Sequence, residues 1–237
     1  MKQKKTFGLA LSGGGPRGMA HIGALQALED LGIKPGYIAG TSVGALVGAL
    51  YVFGVPLQQQ REFAESLSWW KISKFRWRSL GIATNEPIKE MVEEFLEQRH
   101  IEEAPIPFSI LTADIVTGER VVLRSGDVAL AVRATTALPG LYAPVKIDDR
   151  MLVDGGIVEN IPVSPLLEDD CDVIIGIDLL ANRPIRTEPK KTTDIIANTF
   201  YIIMTNYQHG NEHKADLILK PKLEKVIQLD KQSLDDM

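Results

Sequence analysis

Ser42 and Asp154 are the residues whose types and settings best suit covalent chemistry, and a glycine-rich stretch, Ser12-Gly13-Gly14-Gly15-Pro16-Arg17-Gly18, precedes them. Ser42 is the centre of Gly40-Thr41-Ser42-Val43-Gly44, between the apolar run Tyr37-Ile38-Ala39 and a helix-like run from Ala45 to Phe53. A serine on a tight strand-to-helix turn presents its hydroxyl as a nucleophile, and small residues two positions to either side let strand and helix approach closely. An ordinary glycine-containing turn of a parallel α/β unit has the same composition. The pentapeptide therefore needs partners before it means catalysis.

The first partner is a base, because a free hydroxyl is almost fully protonated at neutral pH. The chain has four histidines: His21, His100, His209 and His213. His21 falls in the first helix beyond the glycine loop, and His100 follows the charged segment Glu93 to Arg99, where it reads as a solvated residue. His209 and His213 come late, which suits the Ser, Asp, His order of an α/β-hydrolase, yet Gln208 to His213 reads as a polar helix end. Their i, i+4 spacing also suits paired metal ligands, but the helix-borne acid of the zinc motif is missing and no metal is expected. Leu152-Val153-Asp154-Gly155-Gly156 offers a better base, an apolar strand that ends in a carboxylate with space cleared by two glycines. An unperturbed aspartate has a pKa of about 3.9, so Asp154 requires partial burial to abstract a proton. Asp-Gly-Gly is equally a good turn sequence.

The second partner is a site for negative charge. Gly13, Gly15 and Gly18 match G-x-G-x-x-G ahead of a helix that begins near Met19. Bare backbone there can cradle a pyrophosphate or present N–H groups to an oxyanion. A dinucleotide site calls for an acidic residue about 20 positions on, at the end of the second strand. That strand ends instead in Ala39-Gly40-Thr41-Ser42, and the Gly-Lys-Ser/Thr of a P-loop is absent from the loop. An oxyanion hole fits better, with the N–H groups of Gly14 and Gly15 as donors. Close packing is the other use such glycines have.

Strand-like runs at Thr6 to Ser12, Tyr37 to Thr41, Phe108 to Asp114, Arg120 to Arg124, Arg150 to Asp154, Val173 to Leu179 and Asp216 to Lys220 must position these groups. Several are continuously apolar, as in strands covered on both faces. Helix-like runs alternate with them. His21, Ile22, Leu25, Leu28 and Leu31 recur near a 3.6-residue period and Gly32 supplies a stop. Asn85 reads as the cap of a helix with Pro87 in its first turn and Ile88, Met91, Val92, Phe95 and Leu96 on one face, and Asp194 to Tyr207 gives a third. Such alternation predicts a mostly parallel sheet with helices on both faces and a site at the carboxyl ends of the strands.

A chain of 237 residues, 45% hydrophobic and 24% charged, is expected to form one soluble domain over 1–237. A formal net charge of -5 gives no general attraction to nucleic acid. Cys171 is the single cysteine, which excludes an intrachain disulfide and fits a cytoplasmic location. The apolar stretch Phe7 to Leu11 after Lys2, Lys4 and Lys5 is too short for a secretory signal, and no run reaches the roughly 18 apolar residues of a membrane span.

Taken together, the glycine loop, the Gly-x-Ser-x-Gly turn and Asp-Gly-Gly are more specific than any one of them. With Leu111-Thr112-Ala113-Asp114, Thr117-Gly118-Glu119, Arg133-Ala134-Thr135-Thr136-Ala137-Leu138-Pro139-Gly140 and Ala215-Asp216-Leu217-Ile218-Leu219-Lys220-Pro221, the chain resembles the patatin-like phospholipases along nearly its whole length. The likeness is to short bacterial members related to the neuropathy target esterase. It implies a three-layer α/β/α sandwich, a Ser-Asp dyad in place of a triad, and hydrolysis of carboxylic esters in phospholipids, lysophospholipids or related lipids without a cofactor. Carried over by position, Ser42 is the nucleophile, Asp154 the general base, and Gly13, Gly14, Gly15 and Gly18 frame the oxyanion hole. Pro16 departs from the small residue many relatives carry; it has no N–H to donate but suits a first helical turn. Arg17 could orient a phosphate or anionic head group, or tie the loop to a neighbouring carboxylate. Arg133 reads as structural.

All three tryptophans fall in Trp69-Trp70-Lys71-Ile72-Ser73-Lys74-Phe75-Arg76-Trp77-Arg78, which has four basic residues and no acid. Such a composition suits the head-group layer of a bilayer, so 56–105 is expected to carry a lid or a peripheral membrane-facing edge. A core-packed connection with a solvated basic flank has the same residues. The rival from another class is a non-catalytic lipid-binding regulator that kept the fold, which would have no need of Ser42, Asp154 and the glycine loop together.

Overall fold

One sheet pairs its strands along the path β10-β9-β1-β2-β5-β8-β7, with β6 also paired to β5. The computed structural model describes residues 6–66, 74–75, 80–181, 188–206 and 211–223. The strands are β1 (Phe7–Leu11), β2 (Tyr37–Thr41), β5 (Phe108–Asp114), β6 (Arg120–Leu123), β7 (Val145–Ile147), β8 (Arg150–Asp154), β9 (Val173–Ile177) and β10 (Leu217–Leu219). A separate hairpin pairs β3 (Lys74–Phe75) with β4 (Ala83–Thr84). The helices are α1 (Met19–Asp30), α2 (Val43–Val52), α3 (Leu57–Ser66), α4 (Glu86–Leu96), α5 (Val128–Thr135), α6 (Ser164–Glu168) and α7 (Thr192–Asn206).

Five strands, β10, β9, β1, β2 and β5, are parallel. Every residue of β5 is buried, the polar Ser109, Thr112 and Asp114 included, as its central place in the sheet requires. The two faces differ. Leu9, Leu11, Ile38 and Ile110 join the larger core, which α1, α2, α4 and α5 fill with Leu25, Leu50, Val92 and Val132. Ala10 and Ala39 turn the other way and meet Ile161, Val163 and Leu166 around α6. Large aliphatic side chains on one face and alanines on the other let the thinner layer lie close. The result is a three-layer α/β/α arrangement with a mostly parallel sheet, as the sequence predicts.

Most expected elements appear within a residue or two of their limits. Gly32 ends α1 with φ 68, where a residue with a Cβ is strained. Asn85 stands at the N-cap of α4, but its side chain does not cap; the amide donates to Arg133 O at 2.7 Å and to the Thr136 hydroxyl at 3.0 Å. Within 56–105, Leu57, Ile88, Val92, Leu96 and Ile101 belong to the main core. Trp69, Trp70 and Trp77 lie outside the described residues. Among those described, no helix is long and apolar enough to cross a membrane.

One expectation about direction needs correction. Asp154 ends a strand, but β8 runs antiparallel to β5, so its carboxyl end does not point the way of the parallel set. It reaches the site differently. Along one edge of β5, Thr41 pairs with Leu111 and Asp154 pairs with Thr112, while β6 takes the opposite edge. Strands β2 and β8 thus approach head to head on the same edge of β5, and their carboxyl ends stop on adjacent residues of that strand.

Candidate active site

Between β2 and α2 there is one residue, Ser42. Its φ of 53° and ψ of -124° lie in a region that L-residues rarely enter, at a cost of about 1–3 kcal/mol. The surroundings hold it there. Its carbonyl accepts from the N–H groups of Ala45 (2.9 Å) and Leu46 (3.1 Å), and its own N–H donates to the Thr135 hydroxyl at 2.9 Å. That hydroxyl in turn donates to the Leu111 carbonyl. A Cβ on Gly40 would stand 2.5 Å from the Ala45 Cα, and one on Gly44 would stand 2.2 Å from the Leu11 carbonyl oxygen. Both glycines are obligatory for the turn.

The Ser42 side chain acts on the Asp154 carboxyl to favour its ionised form, and that carboxyl accepts the Gly156 N–H at 2.9 Å. Asp154 is only 1% exposed. Burial raises its pKa to about 7, against the lowering effect of those two interactions. A carboxylate in this condition is a far better base at neutral pH than a solvated one. Gly155 and Gly156 make the room: a Cβ on Gly155 would meet the Leu111 carbonyl oxygen at 2.4 Å, and one on Gly156 the Met204 Cε at 2.7 Å. The turn and the functional site are one structure here, since the Gly156 N–H bond is also the cap of a short 3-10 turn, Gly155–Ile157.

The glycine loop closes the other side of Ser42. A Cβ on Gly13 would lie 3.3 Å from the Ser42 Cβ, and one on Gly18 would overlap Val43 Cγ2 at 2.2 Å. The Gly13 N–H already donates to the Asn160 carbonyl at 3.2 Å. Gly14 and Gly15 have no acceptor for their N–H groups among the described residues, and Pro16 opens the 3-10 turn Gly15–Gly18. Ser12 braces the loop from below, as its hydroxyl donates to Gly13 O at 3.0 Å and accepts the Leu179 N–H at 3.1 Å.

Arg17 is 7% exposed and donates to the Leu179 carbonyl at 2.9 Å, a bond that ties the loop to the chain just beyond β9. His21 is fully buried with Nε2 at 2.8 Å from Ser12 O, and burial drops its pKa to about 4, so it is a neutral brace for the loop. His100 stands exposed beside Glu102, and His213 is exposed in the turn Asn211–Lys214. His209 lies outside the described residues. Among those described, no three His, Cys, Asp or Glu side chains converge as metal ligands do. Arg133 pairs with Glu86 at 2.5 Å, the structural part its position suggests.

Residues not singled out in the sequence complete the site. Met204 of α7 touches the places where Gly13 and Gly156 lack a Cβ, and the Tyr201 hydroxyl reaches within 3.1 Å of the same place on Gly15. With Phe200 and Leu180, and with Leu138 and Ile157 beside them, they form an apolar roof. The Asn160 amide oxygen is buried against Gly13 without a hydrogen-bond partner among the described residues. The only signals for these residues were an apolar helix late in the chain and an Asn shortly after Asp-Gly-Gly.

Residues 9–167 match the family model described as patatin-like phospholipase. An NTE family protein of Mycobacterium tuberculosis is 36% identical over 192 residues, covering 78% of this chain and 53% of the relative. The lysophospholipase NTE1 of Candida glabrata is 32% identical over 215 residues, covering 88% of this chain and 12% of its own length. The chain thus spans about half the length of the mycobacterial relative and a small part of the yeast one. Among solved structures, VipD from Legionella pneumophila shares the fold, with a TM-score of 0.57 and 14% sequence identity, over 78% of this chain and 51% of that one.

Proposed function

The chain belongs to the patatin-like phospholipase family, and from that premise we propose that it is a serine acyl hydrolase that cleaves carboxylic esters of phospholipids, lysophospholipids or related lipids. One observation carries the reading: Ser42, on its strained turn, interacts with the carboxyl of Asp154, whose pKa burial pushes up to about 7. Ser42 Oγ attacks the ester carbonyl while Asp154 accepts its proton. The N–H groups of Gly14 and Gly15 receive the oxyanion, and Gly13 and Gly18 keep the loop close enough to do so. Asp154 returns the proton to the departing alcohol, then takes one from the water that hydrolyses the acyl-enzyme. Lost oxyanion donors in comparable sites cost about 10²–10³ in rate.

The apolar roof of Leu180, Phe200 and Met204 favours an acyl chain over a polar substrate. Trp69, Trp70 and Trp77 serve, in the same reading, as a peripheral contact with the lipid surface. Arg17 holds the loop.

Labelling with a fluorophosphonate probe tests the proposal. Wild type is expected to label and to hydrolyse lysophospholipid; Ser42→Ala abolishes labelling, and Asp154→Asn slows it by at least about 10³-fold, as loss of a base does. Labelling that persists in Ser42→Ala sinks the mechanism. Liposome binding without labelling would assign the chain to the lipid-binding regulators.

A further inference from the structure

We infer that Thr135 is a positioning residue whose hydroxyl takes the place of one rung of the β2–β5 ladder and so lets Ser42 leave the sheet with its N–H still satisfied. This rests on the reading of Ser42 as nucleophile. The ladder itself carries the argument. In the parallel pair β2–β5, the Ile38 N–H donates to Pro107 O at 3.0 Å, and the register pairs Ile38 with Phe108 and Gly40 with Ile110. Parallel rungs repeat every second residue. The Ser42 N–H is therefore the next donor on the strand, and its acceptor in a continued ladder is the Leu111 carbonyl.

The two groups do not meet directly. The Ser42 N–H donates to Thr135 Oγ1 at 2.9 Å, and Thr135 Oγ1 donates to Leu111 O. One oxygen atom spans the gap that opens as β2 turns up into α2. Without it, a buried N–H and a buried C=O would lose their partners where the backbone is already strained.

Thr136 shows how unusual this is. It follows directly on the same helix end, and its hydroxyl folds back onto the Val132 and Arg133 carbonyls, which is the ordinary habit of a helical threonine. Thr135, fully buried, reaches out of its helix instead. A branched Cβ restricts its side chain to few rotamers, so the hydroxyl is held in line with both partners. Gly155 leaves room for it, since a Cβ there would strike the same Leu111 carbonyl.

Thr135→Ser and Thr135→Ala both lose the methyl group and differ by the one oxygen. On a soluble ester, Thr135→Ala and the isosteric Thr135→Val are expected to lose about 10²-fold in kcat with KM nearly unchanged, the cost of a displaced nucleophile. Thr135→Ser is expected to stay within about 5-fold of wild type, with Ser42 labelling rates in the same order. Equal loss in Ser and Ala, wild-type rates in Ala, or a loss confined to KM would overturn the inference. Amide exchange of Ser42 in the wild-type protein needs no variant: a protected amide is expected, and free exchange there refutes the bridge even if Thr135→Ala does not fold. If wild type neither labels nor hydrolyses any ester, the hydrolase reading fails, and Ser42 amide protection in wild type and Thr135→Ser alone decides the bridge.

Discussion

Two glycine turns flank Ser42, and they are built on different principles. In the turn Gly40 to Gly44, the atoms that forbid a side chain belong to the main chain: Ala45 Cα and N for Gly40, the Leu11 and Ser12 carbonyls for Gly44. In the loop Gly13 to Gly18, the forbidding atoms are mostly side chains, Asn160 and Met204 for Gly13, Leu179 for Gly14 and Val43 for Gly18, while Gly15 is required by its own φ of 57°. A main-chain obstacle cannot yield without moving a strand, whereas a side-chain obstacle can rotate or be replaced. The turn that carries Ser42, the proposed nucleophile, is therefore fixed by the fold, and the loop beside it is set by more adjustable packing.

Gly44→Ala gives the largest expected effect. With its Cβ 2.2 Å from Leu11 O, β1 or α2 must move, and the variant should fail to fold or lose at least about 3 kcal/mol, seen as a drop in Tm of roughly 6–12 °C. A wild-type melting curve would erase the contrast between the two turns. Gly13→Ala meets the ends of Asn160 and Met204 at 2.7 Å and the Ser42 Cβ at 3.3 Å, and should fold while losing about 10²-fold in kcat through displaced loop geometry. Adding Met204→Ala to Gly13→Ala should restore part of that rate. No restoration would mean that the loop is as rigid as the turn.

Asp154 lies between both turns, so its titration reports on each. In the proposed reaction the carboxylate is the active form, and kcat/KM should rise with pH to a plateau above an inflection near pH 7. Met204→Ala, which opens the roof to water, should move the inflection toward lower pH; Gly40 and Gly44 offer no comparable handle. The stability effect has the opposite sign. A pKa raised by folding means that the folded state holds the proton more tightly, so this group lowers stability as pH climbs from its unfolded value near 4 to about 7. Asp154→Asn should accordingly raise Tm at pH 8 and make little difference near pH 4. The smallest effect belongs to a glycine with no task. Gly23 is exposed in α1, and a methyl group added there would meet nothing within 4 Å; Gly23→Ala should add about 0.5–1 kcal/mol with unchanged activity.

Much of this was legible in the sequence because it is local. The apolar runs and their glycine punctuation place β2, β5 and β8 at their observed limits, and Gly-x-Ser-x-Gly states its own geometry. Asp154 was legible as a strand end but not as an antiparallel one, since strand direction depends on partners far along the chain. The short β7 carries only Val145-Lys146-Ile147, too little pattern to read. Thr135, Asn160 and Met204 enter the site through tertiary contacts alone. Asn85 shows the same limit from the other side: a good capping residue was drawn away by acceptors on α5 and the residue after it.

The edge of β5 works as a ruler. Because Thr41 stops at Leu111 and Asp154 at Thr112, the adjacency of these two residues sets how far Asp154 stands from Ser42, the proposed base from the proposed nucleophile. A slip of β8 by one residue would turn Asp154 to the opposite face of the sheet. A slip of two would keep the face but carry it about 7 Å along the strand. For anyone transplanting this pair to another scaffold, the part to copy is two abutting strand ends on neighbouring marks of a third strand.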